Sequence, residues 1–314
     1  MKFNPKARFD TSQVRRRSGG SGGGGLSRGG LSGGLGGGRM PGGMALPGGG
    51  IGIVIIIGIF LFTQFSGGGS SGLAGYDGDD VTGEDLTECD GGEDAANSQD
   101  CRIVGTVNSV QAFWEEALPA QSRAPYTESV TTLFSGEVST GGCGDATSAV
   151  GPFYCPADDT VYIDTTFFDA MLEGQLGATG GDFAEAYVIA HEYGHHVQDI
   201  LGTMDRVRGG TGADSDAVKL ELQADCYAGM WAKYATTVED ASGEVFILEL
   251  TQDDIAEAID AAEAVGDDRI QERVEGQVRP ETWTHGSAAE RREWFMTGYQ
   301  RGTLDACDTF NGAL

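Results

Sequence analysis

The chain has 314 residues, room for roughly two domains of ~150 residues each, and a formal net charge of −28. The acid is unevenly spread: residues 1–50 hold eight Lys and Arg against Asp10 alone, a balance of +7, so residues 51–314 carry −35. So large an acidic excess over the main part disfavours nucleic acid as a partner.

Residues 1–45 are basic and, from Ser18 onward, mostly Gly, Ser and Leu. Such a composition cannot bury enough apolar surface to offset chain entropy, and it predicts a disordered cytoplasmic tail. A basic tail of this kind could touch RNA, but it lacks the interleaved aromatics that stack on bases. A topogenic role beside anionic lipid fits it better. The run "IGIVIIIGIFLFTQF", Ile51 to Phe65, has no charge. It is shorter than the ~17–25 residues of a spanning helix, and extension back into uncharged residues gives an expected transmembrane helix over residues 46–65. The basic flank is N-terminal, so the positive-inside rule expects a cytoplasmic N-terminus and an extracytoplasmic remainder on a single-pass cell-membrane protein. A cleaved signal peptide is the rival, because small residues follow in "SSGLAG". It would need a leading region of about fifty residues, far longer than usual.

Residues 66–100 are Gly, Ser and acid, and predict a linker. Residues 101–314 predict the folded domain. "TVNSVQAFWEEALPA", 106–120, places Val110, Phe113, Trp114 and Ala117 at helical spacing. "YTESVTTLFSG" and "SAVGPFYCPADDTVYID" predict strands, the second folded into a hairpin at Pro156 to Asp159. Four helices are expected after that: 182–201, with Asp182 as a possible cap and Gly202 as its stop; 215–235, capped by Ser215 or Asp216; 251–265, capped by Thr251; and 287–302, opened by Ser287 with Glu290 as capping-box partner. A small strand-rich part followed by packed helices makes the domain α+β. All six cysteines lie beyond the apolar run, and an even count in an exported domain predicts disulfides. Six cysteines allow fifteen pairings. The spacing favours Cys89–Cys101 and Cys143–Cys155 as short loops, which leaves Cys226 for Cys307.

The chemistry gathers in "HEYGHHVQ", residues 191–198, which contains three of the four histidines. On a helix His191 and His195 point ~40° apart one turn up, so both imidazoles can reach one ion. Glu192 lies ~100° round, beside the ion rather than on it, where it can take a proton from water. His196 lies ~140° from His191 and reads as a packed or hydrogen-bonded neighbour. The helix is apolar before the motif, and burying two imidazoles and a carboxylate there is costly unless they are satisfied, so one Zn²⁺ per chain is expected. A third protein ligand is required. Leu201 stands where the metzincin pattern needs His, so the candidates are Glu221, Asp225 and His285. Glu221 and Asp225 are four apart in "LELQAD", among Leu220, Leu222, Ala224, Cys226, Tyr227 and Trp231, and so are not a solvated face. Glu221 is the expected ligand, with Asp225 holding a liganding imidazole.

Together "HEYGHHVQ", "LELQADCYAG", "GPFYCPADDTVYID" and "THGSAAERREWF" resemble the bacterial neutral zinc metallopeptidase family, membrane-anchored and of the gluzincin type. The resemblance runs from about Cys101 to the C-terminus. It implies a zincin-like fold, zinc on His191, His195 and Glu221, Glu192 as catalytic base, and "TVYID" as the strand along which a peptide substrate lies. The expected activity is a zinc-dependent endopeptidase acting on a peptide or protein, with His285 as oxyanion donor. The alternatives are a membrane-anchored binding module with a structural zinc and a zinc amidase acting on cell-wall peptides. An intact Glu192 argues against the first. Nothing in the sequence fixes an oligomeric state.

Overall fold

The computed structural model describes residues 1–17 and 86–311. The expected span at 46–65, tail residues 18–45 and linker residues 66–85 lie outside the described residues. Among those described, no helix is long and apolar enough to cross a membrane.

In chain order the structure has β1 (Lys2–Phe3) and β2 (Val14–Arg16), then a single helical turn α1 (Gly92–Ala95) and the long α2 (Gln99–Ser122). The strands β3 (Val130–Phe134), β4 (Glu137–Ser139), β5 (Asp145–Thr147), β6 (Phe153–Cys155) and β7 (Thr160–Asp164) follow. A π-helical turn, Phe168–Glu173, leads into α3 (Asp182–Ile200), α4 (Asp216–Tyr234), β8 (Ile247–Glu249), α5 (Gln252–Ala264), α6 (Asp267–Glu275) and α7 (Ala288–Arg301). The fold is α+β, as composition and periodicity predict. The main sheet has the order β2-β3-β7-β6, with β2, β3 and β7 parallel and β6 antiparallel to β7.

Capping explains where the helices begin. The Ser98 side chain accepts from the Cys101 N–H at the start of α2, and Ser215 accepts from Val218 at the start of α4. Thr251 with Asp254, and Ser287 with Glu290, form reciprocal capping boxes on α5 and α7. Asp182 is the first residue of α3 rather than its cap; Gly181, at φ 114°, takes the cap position. Asp182 and Glu185 put negative charge in the first turn, where the helix dipole favours it.

The helices pack around one large core that includes Trp114, Phe183, Tyr187, Trp231 and Phe295, all buried. Two close approaches set its geometry. A Cβ on Gly194 would meet the Ala224 Cα and O at 3.0 Å, so α3 and α4 cross nearly backbone to backbone there. A Cβ on Gly298 would lie 1.8 Å from the Cys226 carbonyl oxygen, which presses α7 equally hard onto α4. A smaller cluster, including Val138, Cys143, Val150, Phe153 and Tyr162, joins the β4–β5 hairpin to the β6–β7 hairpin. The disulfides are Cys89–Cys101, Cys143–Cys155 and Cys226–Cys307, the pairing that spacing favoured.

Two expected boundaries need correction. Residues 1–17 are not a disordered tail: β1 pairs with β8, β2 extends the main sheet beside β3, and Phe3, Ala7 and Val14 are buried. The α-amino group forms an ion pair with Asp254, and Arg16 with Asp100. The alternation of a few apolar residues with basic ones hides this arm from a composition argument. Residues 86–100, assigned to the linker, are likewise part of the folded body, through a 3₁₀ turn at Leu86–Glu88, α1 and the Cys89–Cys101 bond.

Candidate metal centre

Helix α3 carries His191, Glu192 and His195, and α4 carries Glu221, at the crossing that Gly194 permits. All four side chains are buried. His191 Nε2 lies 3.3 Å from Glu221 Oε2, and His195 Nε2 lies 3.5 Å from Glu221 Oε1. Ligand atoms of the three residues all fall within 4.8 Å of one another, the one such group of His, Cys, Asp or Glu among the described residues. The two separations run to different oxygens of the Glu221 carboxylate, and the three side chains are close enough to hold one small ion between them.

Unpartnered atoms test the fit independently. Glu192 Oε2 and His285 Nε2 are buried and have no hydrogen-bond partner, and Glu221 Oε2 has only the His191 ring nitrogen, 3.3 Å away. An orphaned polar atom in a protein interior is costly, and these two beside the ligand group fit a polar occupant. The donor set, two imidazole nitrogens and one carboxylate, is the one Zn²⁺ takes at catalytic sites.

The imidazoles are held from behind. His191 Nδ1 is 2.8 Å from Asp225 Oδ1, and His195 Nδ1 is 2.8 Å from Gln198 Oε1. Acceptors on both Nδ1 atoms leave both Nε2 atoms as ligand atoms. Asp225 also accepts from the Tyr187 hydroxyl and from Arg291. Gln198 and Arg291 lie within the quoted motifs without a role that the sequence assigns them, and Tyr187 lies outside the motifs, although it is one turn before His191. His196 is turned away from the ligand group. Its Nε2 donates to the Thr127 carbonyl at 2.7 Å and its Nδ1 lies 3.2 Å from the Tyr154 hydroxyl.

Electrostatics separate the groups. Burial raises the Glu192 pKa to about 7, against the pull of His191 and of the Tyr154 backbone. Burial lowers His195 to about 4. Burial would lower His191 too, but the Asp225 carboxylate outweighs it and holds the imidazole at about 9, a proton that a metal ion must displace. Burial would raise Glu221, but His195 and His191 draw it well below the usual carboxylate range.

His285 sits in the turn before α7. Its N–H donates to Asp267 Oδ2 at 2.6 Å, and its Nδ1 is 3.2 Å from Asp267 Oδ1 and 3.0 Å from Thr284 Oγ1. Burial opposes its protonation, but the Asp267 contact prevails and raises its pKa, with Glu221 adding to the effect. The expected substrate strand is corrected as well. "TVYID" is β7, hydrogen-bonded on both edges by β3 and β6, so it has no free edge to offer. The outer strand is β6, whose Tyr154 backbone acts on Glu192.

An α+β body with a His₂Glu site, a buried carboxylate beside it and a third buried imidazole that feels the Glu221 charge has the make-up of a metal-dependent hydrolase. Residues 4–310 match the family described as "Putative neutral zinc metallopeptidase", and the chain belongs to that family. Uncharacterized protein Rv2575 of Mycobacterium tuberculosis (strain ATCC 25618 / H37Rv) is 53% identical over 233 residues, 74% of this chain and 77% of its own length. Uncharacterized protein YpfJ of Escherichia coli (strain K12) is 36% identical over 288 residues, 87% of this chain and 91% of its own. No solved structure matches.

Proposed function

We propose that this chain is a zinc-dependent endopeptidase of zincin-like fold, with one zinc held by His191, His195 and Glu221. The observation that carries the reading is Glu192: a buried carboxylate next to the ligand group, tuned to about 7, with one oxygen unpartnered. A purely structural zinc site has no use for such a group. Zinc bound there supplies a Lewis acid that acidifies water and polarises a carbonyl. Glu192 takes the water proton and passes it to the leaving amine, a task for which a pKa near neutrality is suited. His285, fixed by Asp267, donates from Nε2 to the oxyanion. A peptide laid along the outer strand β6 would present its carbonyl to this pair by backbone pairing. The three disulfides support action in an oxidising, extracytoplasmic setting, and residues 46–65 are proposed to hold the domain at the cell membrane.

Zinc content and casein hydrolysis of wild type and Glu192→Gln test the reading. The variant should keep its zinc and its fold and lose turnover. Normal turnover by the variant would remove Glu192 from the mechanism, and a wild type without zinc would remove the peptidase altogether.

A further inference from the structure

Asp225 needs one oxygen to orient His191, yet a second charged residue from a distant helix is spent on it. Arg291 on α7 is buried, and its guanidinium meets the carboxylate fork to fork: Nε donates to Oδ2 at 2.8 Å and Nη2 to Oδ1 at 2.9 Å. The same Nη2 lies 3.2 Å from the Tyr187 hydroxyl, which itself donates to Oδ1, and Nη1 reaches the Val265 carbonyl at 3.4 Å. The carboxylate is thus pinned at both oxygens, and one of those oxygens is the acceptor for His191 Nδ1. A buried ion pair is weak evidence of stabilisation in itself, because desolvating both charges offsets much of their attraction. Its geometry here does something more specific.

We infer that Arg291 is a positioning residue for the metal, holding Asp225 in the one orientation that aims His191 Nε2 at the ion. The inference rests on the zinc reading of the site. A carboxylate held by His191 and Tyr187 alone could rotate about its Cβ–Cγ bond and trade oxygens; the two parallel bonds from Arg291 remove that freedom. A lysine offers a point charge on a flexible stem and cannot span both oxygens. Arg291 also stands one turn into α7, just past the turn that carries His285, so the same contact registers His285 against the ligand helices.

The test is zinc affinity, measured by competition with a chromogenic chelator on the full chain, with folding followed by circular dichroism. Arg291→Met should weaken zinc by ~10–100-fold, the range for loss of an outer-shell partner, and Arg291→Lys should restore little of it. In a double-mutant cycle, Arg291→Met should add little once Asp225→Asn is present, because the arginine acts through that carboxylate. Cobalt-substituted Arg291→Lys should show an altered visible absorption, reporting a changed ligand geometry. If Arg291→Met does not fold, Arg291→Lys decides the matter. Folded variants that bind zinc like wild type, or effects of Arg291 and Asp225 that simply multiply, would overturn the positioning role and leave the zinc site standing. A wild type that binds no zinc overturns both.

Discussion

Glu192 and His285 each keep a buried, unpartnered atom, and their environments push them apart in role. The Glu192 pKa is raised by burial, so its carboxylate takes up a proton as pH falls through about 7. As the base it must be ionised, so kcat/KM should fall on the acid side, with an apparent pKa at or below about 7, since a neighbouring divalent cation favours the ionised form. An acid limb that persists unchanged in the residual activity of Glu192→Gln would take Glu192 out of the role of base. His285 offers Nε2 without a partner while Asp267 holds the other side of the ring. His285→Ala should therefore keep zinc and lose ~10²–10³ in turnover with little change in KM, whereas Glu221→Ala should lose zinc. Elemental analysis paired with steady-state kinetics separates the two. Zinc lost from His285→Ala and kept by Glu221→Ala would reverse the ligand assignment. At this scale much was legible in the sequence, because H-E-x-x-H and E-x-x-x-D are local patterns whose meaning follows from helix geometry. Asp267 was not legible: it is 18 residues from His285, and no local pattern couples them.

Among elements, the long helices could be read because each joins an apolar stripe to a capping residue, as Ser215, Thr251 and Ser287 illustrate. Helix α6, "DDRIQERVE", has almost no apolar stripe and was missed; its contribution is its first residue, Asp267, rather than a buried face. Strands of two or three residues such as β1, β2 and β4 are too short to show a period, whereas β6 could be read as half of the hairpin that turns at Pro156 to Asp159. The spacing of cysteines suggested a pairing that the structure bears out, but the use of the Cys226–Cys307 bond needs coordinates. Gln198, which holds His195, donates to the Leu220 carbonyl at 2.7 Å and to Gln223 Oε1 at 3.2 Å, and Gln223 donates to the Cys307 carbonyl at 2.8 Å. A hydrogen-bonded chain thus runs from the second imidazole to the disulfide that ties α4 to the C-terminal segment. Both sulfurs are buried, so substitution is a cleaner probe than a reductant. Cys226→Ala with Cys307→Ala removes a closure over 81 residues, about 4–5 kcal/mol in the loop-entropy picture. The folded fraction should also bind zinc several-fold more weakly. Chelator competition that shows lower stability and unchanged zinc affinity would cut the chain out of the site.

At the scale of the whole molecule, the N-terminal arm is the largest departure from the sequence reading. Arg15 Nε donates to Thr132 Oγ1 at 2.9 Å, Arg17 Nη1 to the Ser139 carbonyl at 2.7 Å, and the Asp10 N–H to Asn108 Oδ1 at 2.7 Å. Lys2 and Glu249 are paired across β1 and β8, and both are exposed. Lys2→Cys with Glu249→Cys should therefore form a disulfide within one chain in native membranes, visible by non-reducing peptide mapping. Absence of that bond, with an arm digested only from the cytoplasmic side, would mean that the arm does not join the domain in the cell.

The arm alters what the basic residues near the N-terminus can say about orientation. Lys2, Lys6, Arg8, Arg15, Arg16 and Arg17 belong to it, and the positive-inside rule counts only charges within about 15–20 residues of a span. Arg28 and Arg39 are the basic residues left within that reach of residue 46. The arm is paired with the domain in the structure, and where that pairing forms in the cell the two share one compartment, which is what the Lys2–Glu249 cross-link reads. β2 and the Leu86–Glu88 turn are in contact, so the two described ends that flank residues 18–85 lie together on one side of the domain.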